Sequence, residues 1–328
     1  MLSVVVIGKN EAENLPRLMS SIDALAGFCG FPVETVFVES TSTDSSLEIA
    51  KTRFDRVIAL VQSDGLYASG GRYVGTMAAR FPWVLYLDGD MEVCPQFFPI
   101  VANIPNVEDE CVGYGGLYED HFNSGSKAIH VFFGDVLKSQ WATGFGGAVL
   151  LRRNEVLCLG NWDPSIYSKE EMELYARLSN GKRVVKYVGV QMVNHYSEYF
   201  TRFELLTRLL YPGAGQGKVF YGFGHSIRSF VIKGKLGALM QLDFEPCIFF
   251  GALMIALMIA LIGAVLLPIE WGLLWVASLV LCLSVLMRPG PFVRYLTLPI
   301  PLVLGLTKYI PYFRPEIKNW SWNWKSTV

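Results

Sequence analysis

A long apolar segment near the carboxyl end places the strongest constraint on how this chain can fold. Residues 246–313 carry four charged side chains in 68 positions: Glu270, Arg288, Arg294 and Lys308. Residues 247–267 are 21 uncharged positions, which at about 1.5 Å per residue can cross a hydrocarbon core of roughly 30 Å. Residues 271–287 are a second run of 17, at the short end of the range for a membrane span. The sequence therefore predicts two transmembrane helices.

The distribution of positive charge predicts how these helices are oriented. The short connection 268–270 carries no Lys or Arg, whereas basic residues stand on the other side of both runs, at 233, 235, 288, 294, 308, 314, 318 and 325. Positive residues favour the cytoplasmic side, so we expect a hairpin with both ends cytoplasmic. A third apolar run, 295–307, is 13 residues long and contains two prolines, which favours an interfacial segment. A soluble protein with buried core helices is the alternative.

The first 245 residues have the composition of a soluble domain. Over the whole chain 17% of residues are charged, against a typical share of about 25%, because the apolar segment dilutes them. The net charge of −1 gives no reason to expect nucleic acid as a partner. The six cysteines show no CxxC pair or metal-ligand spacing, and we expect them to be reduced, with the domain in the cytosol. The opening MLSVVVIG does not resemble a signal peptide.

Strand-like and helix-like patterns alternate in this part of the chain. Residues 2–8 and 33–39 are β-branched runs, and residues 11–26 between them carry apolar side chains at helical spacing. A doubly wound α/β sheet is predicted. Ligands of such sheets bind beyond the carboxyl ends of the strands. That rule selects four stretches: 8–11, 39–44, 64–72 and 88–92.

Two aspartates around a glycine follow one predicted strand. Asp88-Gly89-Asp90 comes directly after the apolar run 83–87. Two carboxylates at this spacing can bracket one divalent cation, and Mg²⁺ and Mn²⁺ take oxygen ligands while leaving positions for phosphate oxygens. Aspartates also cap turns, so this DxD motif by itself leaves both interpretations open.

The motifs around DxD resemble those of the family 2 glycosyltransferases, which have the GT-A fold. The resemblance rests on VVVIGKNEAENL, VFVESTSTDSS, GLYASGGRYVG and VLYLDGDMEV, followed by GFGGAVLLRRNEVLCLGNWDPS, KEEMELYARLSNGKRVVKYVG and VNHYSE. It covers roughly residues 2–198 in the family's order. It implies a Rossmann-like GT-A domain, a nucleotide-sugar donor and a metal, Mn²⁺ or Mg²⁺, held by the DxD motif.

The resemblance also implies roles for individual residues. Contact with the nucleotide is implied for Asn10, Glu11, Glu39, Asp64, Arg72 and Asp88. Metal binding is implied for Asp88, Asp90 and His195, the last placed after a strand predicted at 184–190. Glu39 stands where the family commonly has aspartate, which leaves the base of the donor less certain; we expect a UDP-sugar before a GDP-sugar. Asp64, Arg72 and His195 are also compatible with ordinary structural roles.

Glu170 and Glu171 match the family's catalytic acidic pair. A hydroxyl acceptor must lose its proton as it attacks, and a carboxylate within reach can accept it. The resemblance gives this role to Glu171, with Glu170 beside it. Two solvated acids in the first turn of a helix are the alternative interpretation, since the helix dipole favours them there.

These features predict a membrane-anchored, metal-dependent, inverting glycosyltransferase in the cell membrane, with its catalytic domain cytoplasmic. The predicted organisation is a catalytic domain at 1–198, a basic and aromatic interface segment at 199–245, the membrane region at 246–313 and a tail at 314–328. A hydroxyl of a lipid or lipid-linked saccharide is the expected acceptor. A polyprenyl phosphate is the first alternative. A non-catalytic nucleotide-binding membrane module and a nucleotidyltransferase are the more remote ones.

Overall fold

A computed structural model describes residues 1–60, 67–106, 111–122, 125–130, 144–181 and 183–197, with 227, 230 and 231. The described strands are β1 (Leu2–Gly8), β2 (Val33–Glu39), β3 (Arg56–Ala59), β4 (Trp83–Asp88), β5 (Met91–Val93), β6 (Cys111–Phe122), β7 (Lys127–His130), β8 (Val149–Arg152) and β9 (Val184–Ser197). The α-helices are α1 (Leu15–Cys29), α2 (Ser46–Arg53), α3 (Ala68–Ala78), α4 (Phe98–Ala102), α5 (Arg153–Cys158) and α6 (Glu170–Asn180). All of these elements belong to one compact unit.

The described strands form one mixed sheet. Its order is β3-β2-β1-β4-β8-β6-β9-β5, with β7 paired to β6. The first four strands are parallel, as the alternating sequence pattern predicted. Beyond β4, strand β8 is antiparallel to both of its neighbours, and β5 is antiparallel to β9. In this second half the sequence predicted one strand, at 184–190, but not the mixed pairing.

Hydrophobic layers cover both faces of the parallel strands. Leu2, Val4 and Val6 of β1 pack with α1 on one face, whereas Val5 and Ile7 pack with α3 on the other. Side chains alternate between the two faces of a strand, so a strand that is apolar throughout is buried on both. The sheet's centre is therefore a rigid support for the loops at its edge.

Several predicted boundaries shift in the structure. Helix α1 begins at Leu15, not at residue 11, because Glu11 belongs to the preceding loop, where its backbone amide bonds Ser46 Oγ at 2.7 Å. The helix ends at Cys29 and is followed by Gly30, whose φ of 65° is left-handed and favours glycine. The strand predicted at 184–190 continues to Ser197, so His195 lies within β9 and not after it.

The predicted membrane region lies outside the described residues. This applies to the spans at 247–267 and 271–287, the run at 295–307 and the tail from 314. Among the helices that the structure does describe, none combines the length and apolar character that crossing a membrane requires.

Candidate active site

The carboxyl ends of three parallel strands meet at one edge of the sheet. Gly8 of β1 pairs with Glu39 of β2, and Ile7 pairs with Asp88 of β4. The loops that follow these strands converge there, as expected for an open α/β sheet. The predicted site residues Asn10, Glu11, Glu39, Asp88 and Asp90 lie at these strand ends or in the loops that follow them; Asp64 is outside the described residues.

Asn10 and Glu39 connect the first two loops. Asn10 Oδ1 accepts a hydrogen bond from the Thr43 amide at 2.8 Å, and the Asn10 amide donates to Ser42 Oγ at 2.8 Å. Asn10 has a left-handed φ of 61°, which asparagine adopts more readily than most residues. Glu39 is buried and accepts a hydrogen bond from the Ser42 amide. Both side chains shape these loops, and their contact with a nucleoside stays a prediction.

Glu11 packs over the glycine of the DxD motif. A Cβ at Gly89 would lie 2.5 Å from Glu11 Cγ, so the close approach requires glycine there. Burial raises the pKa of Glu11 to about 7; a hydrogen bond from Asn14 opposes the rise, and the charges of Asp90 and Asp88 add to it. Glu11 is therefore a third acidic group beside the two aspartates.

A buried arginine stands at the centre of the edge. Helix α3 approaches β1 closely because Gly71 and Gly75 face Ile7 and Val5, and a Cβ at Gly71 would lie 2.9 Å from Ile7 Cγ2. Arg72 follows the first of these glycines, and its side chain is 2% exposed. The close packing of α3 thus directs the guanidinium inward and not toward solvent.

The Arg72 guanidinium joins the end of β4 to the start of α6. Its Nη2 is 2.8 Å from Asp88 Oδ1, and its Nη1 is 2.5 Å from Glu170 Oε1. Nη2 also lies 3.7 Å from Glu171 Oε1. One buried cation therefore faces three carboxylates, including both members of the predicted catalytic pair.

Gly147 leaves the space that this arrangement occupies. A Cβ at Gly147 would lie 2.5 Å from Asp88 Oδ2 and 2.7 Å from Arg72 Nη2. On another side of the cluster, the Arg72 guanidinium carbon lies 5.5 Å from the centre of the buried Trp162 ring, a cation–π distance. Position 147 therefore requires a residue without a side chain, because the Arg72–Asp88 ion pair occupies that space.

Charge within the cluster separates Glu170 from Glu171. Burial and the neighbouring Glu171 charge raise the pKa of Glu170, although Arg72 opposes the rise. Burial would lower the pKa of Arg72, but Asp88 and the two glutamates outweigh it, so the guanidinium stays charged. The Glu170 side chain is 4% exposed and bound to Arg72, whereas that of Glu171 is 19% exposed. Glu171 is the more accessible of the two to an acceptor; its base role stays a prediction.

His195 lies between two carboxylates. Its Nε2 is 3.2 Å from Asp90 Oδ2, and its Nδ1 is 2.8 Å from Asp120 Oδ1. Burial opposes protonation of the ring, but the hydrogen bonds and charges of Asp90 and Asp120 outweigh it and raise the pKa of His195 to about 9. Without a cation the ring is therefore protonated at neutral pH, and a metal would have to displace the Nε2 proton.

The Asp90–His195 pair fits a divalent cation. Asp90 Oδ1 is buried without a hydrogen-bond partner among the described residues, which makes it available as a ligand. The 3.2 Å between Asp90 Oδ2 and His195 Nε2 is near the separation of about 3.0 Å expected for adjacent ligands of an octahedral cation with bonds of about 2.1 Å. Asp88 instead turns to Arg72. In the part of the chain that the structure describes, no three His, Cys, Asp or Glu side chains are grouped to hold a metal.

Sequence reasoning missed Asp120. It lies in β6, a strand that the sequence pattern did not reveal, and it reaches the site because β6 pairs with β9 at His195. The available signal was the run Glu119, Asp120 and His121 near the carboxyl end of β6, where ligands of such sheets bind. The structure brings Asp90, His195 and Asp120 together in one group, and Arg72, Asp88, Glu170 and Glu171 in another.

A family comparison agrees with this site. The sequence model of "Glycosyl transferase family 2" matches residues 3–125, which include Asp88, Asp90 and Asp120. The chain is similar to this family over those residues, which are 123 of its 328. Together with the mixed α/β sheet, this match confirms the predicted Rossmann-like GT-A domain and the predicted enzyme class, a glycosyltransferase.

Solved structures offer distant likenesses. TarS of S. aureus, residues 1–349 in complex with UDP-GlcNAc, is 15% identical with a TM-score of 0.48, over 70% of this chain and 65% of that chain. GalNAc-T7 with UDP, GalNAc and Mn²⁺ is 17% identical with a TM-score of 0.48, over 75% and 52%. The match to a longer TarS chain, 13% identical with a TM-score of 0.45, covers 70% of this chain and 43% of that one. Likenesses this distant carry no argument about this chain's substrates.

Proposed function

We propose that this chain is an inverting glycosyltransferase that moves a sugar from a nucleotide-sugar donor to a hydroxyl of a lipid or a lipid-linked saccharide. The observation that carries the proposal is the convergence of two groups at one sheet edge. Asp90 and His195 supply a cation site, and the Arg72 cluster presents Glu171 with an accessible carboxylate. A family 2 domain over residues 3–125 supports the reaction class.

Asp90 and His195 would hold the metal, with Asp88 near them. When bound, a divalent cation neutralises the charge that develops on the diphosphate leaving group. The chain's own residues then fix the geometry of the edge: Arg72 holds Asp88 through a 2.8 Å bond, and Glu11 packs over Gly89 between the two aspartates. This pre-organisation supports a metal assignment that the sequence alone left open.

Glu171 is proposed as the general base. The acceptor oxygen forms a bond to the anomeric carbon while the bond from that carbon to the diphosphate oxygen breaks, and Glu171 takes the acceptor's proton. The products are the glycosylated acceptor, with inverted configuration, and a nucleoside diphosphate. Arg72, 3.7 Å from Glu171 and tied to Glu170, holds the first turn of α6 in place for this step.

A UDP-sugar is the donor that we propose first. The support is the family resemblance of the first two loops, in which Asn10 and Glu39 accept hydrogen bonds from the Thr43 and Ser42 amides. TarS has been solved with UDP-GlcNAc and GalNAc-T7 with UDP, and these ligands are properties of those two proteins. GDP-sugars are the natural comparison in any donor screen.

Membrane attachment is proposed from the sequence of residues 246–313. Two uncharged runs with basic residues on one side only favour a hairpin whose flanks are cytoplasmic. Such an anchor would hold the domain beside lipid-linked acceptors. A reporter placed after Val328 should then be cytoplasmic and one inserted at Glu270 external; an external reporter after Val328 would refute this topology.

The reaction class is tested by its products. Purified full-length chain is incubated with UDP- or GDP-sugars, Mn²⁺ and a membrane-lipid extract, and the nucleotide released is identified. A nucleoside diphosphate supports sugar transfer, whereas pyrophosphate would indicate a nucleotidyltransferase. Proton and carbon NMR of the glycosylated product then gives the anomeric configuration, and retention would contradict direct displacement.

A further inference from the structure

The pairing of β6 with β9 brings a second carboxylate to the predicted metal ligand. Asp120 and His195 are partners in the parallel register, and Asp120 Oδ1 lies 2.8 Å from His195 Nδ1. The Asp120 side chain is 15% exposed, so this contact is only partly open to water. A hydrogen bond in such surroundings is stronger than the same bond in solvent.

The backbone around His195 is fixed as well. His195 pairs with Met91 across β5 and β9, and the Tyr196 amide donates to the Asp90 carbonyl at 2.9 Å. Backbone pairing therefore sets the distance between β9 and the DxD turn. Backbone pairing does not by itself set the direction of the imidazole, whereas a bond to one ring nitrogen determines the direction of the other.

We propose that Asp120 is a positioning residue that orients His195, so that Nε2 faces the cation site beside Asp90. This inference rests on the proposed function, in which Asp90 and His195 hold a divalent metal. A carboxylate that accepts the Nδ1 hydrogen directs Nε2 toward the metal, fixes the ring and makes it a better ligand. The two contacts of the ring have this arrangement, because Asp120 lies at Nδ1 and Asp90 lies at Nε2.

The effect on metal affinity has a known scale. Loss of a residue that supports a metal ligand typically weakens metal binding by about 10–100-fold. Asp120→Ala removes the acceptor and should give a loss of that order. Asp120→Asn retains an oxygen that can accept the Nδ1 hydrogen and should give a smaller loss. This graded order distinguishes ring orientation from a general effect of charge, for which the two neutral variants would lose equally.

The neighbouring Glu119 provides a matched control. Glu119 Oε1 contacts Lys127 Nζ at 2.9 Å and His121 Nε2 at 2.8 Å. Replacing Glu119 therefore removes the same charge from the same strand without removing a contact to His195. Glu119→Gln should leave Mn²⁺ affinity unchanged. Thermal unfolding of each variant reports whether the strand still folds, and Asp120→Asn keeps the test valid if Asp120→Ala does not fold.

The test is a Mn²⁺ titration of the full-length chain, with UDP present and no acceptor, followed by the electron paramagnetic resonance signal of free Mn²⁺. We expect tight binding by the wild type and Glu119→Gln, weaker binding by Asp120→Asn and the weakest by Asp120→Ala. Equal affinity in the wild type and in folded Asp120 variants would overturn the role of Asp120 and leave the metal site standing. Absence of Mn²⁺ binding by the wild type would overturn the metal site itself, and this inference with it.

Discussion

Replacing Arg72 by methionine should cost far more stability than an ordinary arginine substitution. Arg72→Met keeps the length of the side chain but removes the charge between Asp88 and Glu170, which lie 2.8 and 2.5 Å away. Glu170 is then left buried without its cation. Removing one partner of a buried ion pair costs about 3–5 kcal/mol, and a loss within that range is expected at a pH above the raised pKa of Glu170, where its carboxylate is charged.

Arg153→Met is the matched control. Arg153 Nε donates to the Thr76 carbonyl at 3.0 Å from the first turn of α5, and none of the described ion pairs involves it. Losing a hydrogen bond of this kind costs about 1–3 kcal/mol at most. Urea unfolding of the full-length variants, followed by circular dichroism, gives both losses on one scale.

A double-mutant cycle then tests the reason for the loss. Adding Glu170→Gln to Arg72→Met removes the uncompensated carboxylate. The free energy of unfolding should therefore fall by about 0.5–3 kcal/mol less in the double variant than the sum of the two single losses. If Arg72→Met is no more damaging than Arg153→Met, or if the two losses simply add, the buried ion pair does not organise this edge of the sheet.

Three further outcomes follow from the geometry. Glu171→Gln should lower kcat by about 10²–10⁴-fold with little change in donor affinity. A change within about threefold would instead favour a lipid phosphate as the acceptor, because its oxygen is already ionised and needs no base. Gly147→Ala should impair folding and transfer together, since its Cβ would lie 2.5 Å from Asp88 Oδ2; wild-type melting temperature and activity would contradict the close packing. Burial raises the pKa of Glu34, but hydrogen bonds from Ser3 and Arg80 outweigh it and lower that pKa overall. The charged Glu34 therefore stabilises the fold at pH values above its unfolded pKa. This stabilisation is lost as the pH falls through its folded pKa. Glu34→Gln should therefore be less stable than wild type at pH 7 and approach it near pH 3 in urea titrations; a difference independent of pH would refute the assignment.

The parallel half of the sheet could be predicted because its signals are local. Strands β1 and β2 are continuous β-branched runs whose predicted limits, 2–8 and 33–39, are the observed ones. Burial on both faces makes such runs visible in sequence. Helix α1 was predicted in the right place, but it begins at Leu15 and not at residue 11. The hydrogen bond from the Glu11 amide to Ser46 keeps the preceding loop out of the helix.

The mixed half could not be predicted because its order depends on distant pairings. Strand β6 reads CVGYGGLYEDHF, and its pairing with β9 shifts register between Cys111 and Gly113 and again between Gly115 and Tyr118. These irregularities break the two-residue alternation by which strands are recognised. Asp120 was missed for that reason, although the neighbouring His195 was named.

The site residues show the same division. The family resemblance implied nucleotide contact for Arg72 and Asp88 and catalysis for Glu170 and Glu171, and the structure places all four in one cluster. Sequence adjacency did not reveal that Glu170 is bound to Arg72 while Glu171 is the more exposed of the two. That difference arises where Arg72 of α3 meets the first turn of α6 in an interior ion pair. The predicted contact of Arg72 with the nucleotide stays untested.

Metal-dependent transfer by Asp90→Asn is the most direct test of the proposed function. Asparagine keeps the shape of the side chain but removes the charged oxygen that faces His195 at 3.2 Å. Transfer of labelled sugar from a nucleotide sugar by the full-length chain is measured with Mn²⁺, and again after chelation by EDTA. We predict that the wild type is active only with the metal and that Asp90→Asn is inactive in both conditions, because a neutral amide is a poor ligand for a hard cation. Wild-type turnover by Asp90→Asn that still requires Mn²⁺ would contradict the site described here.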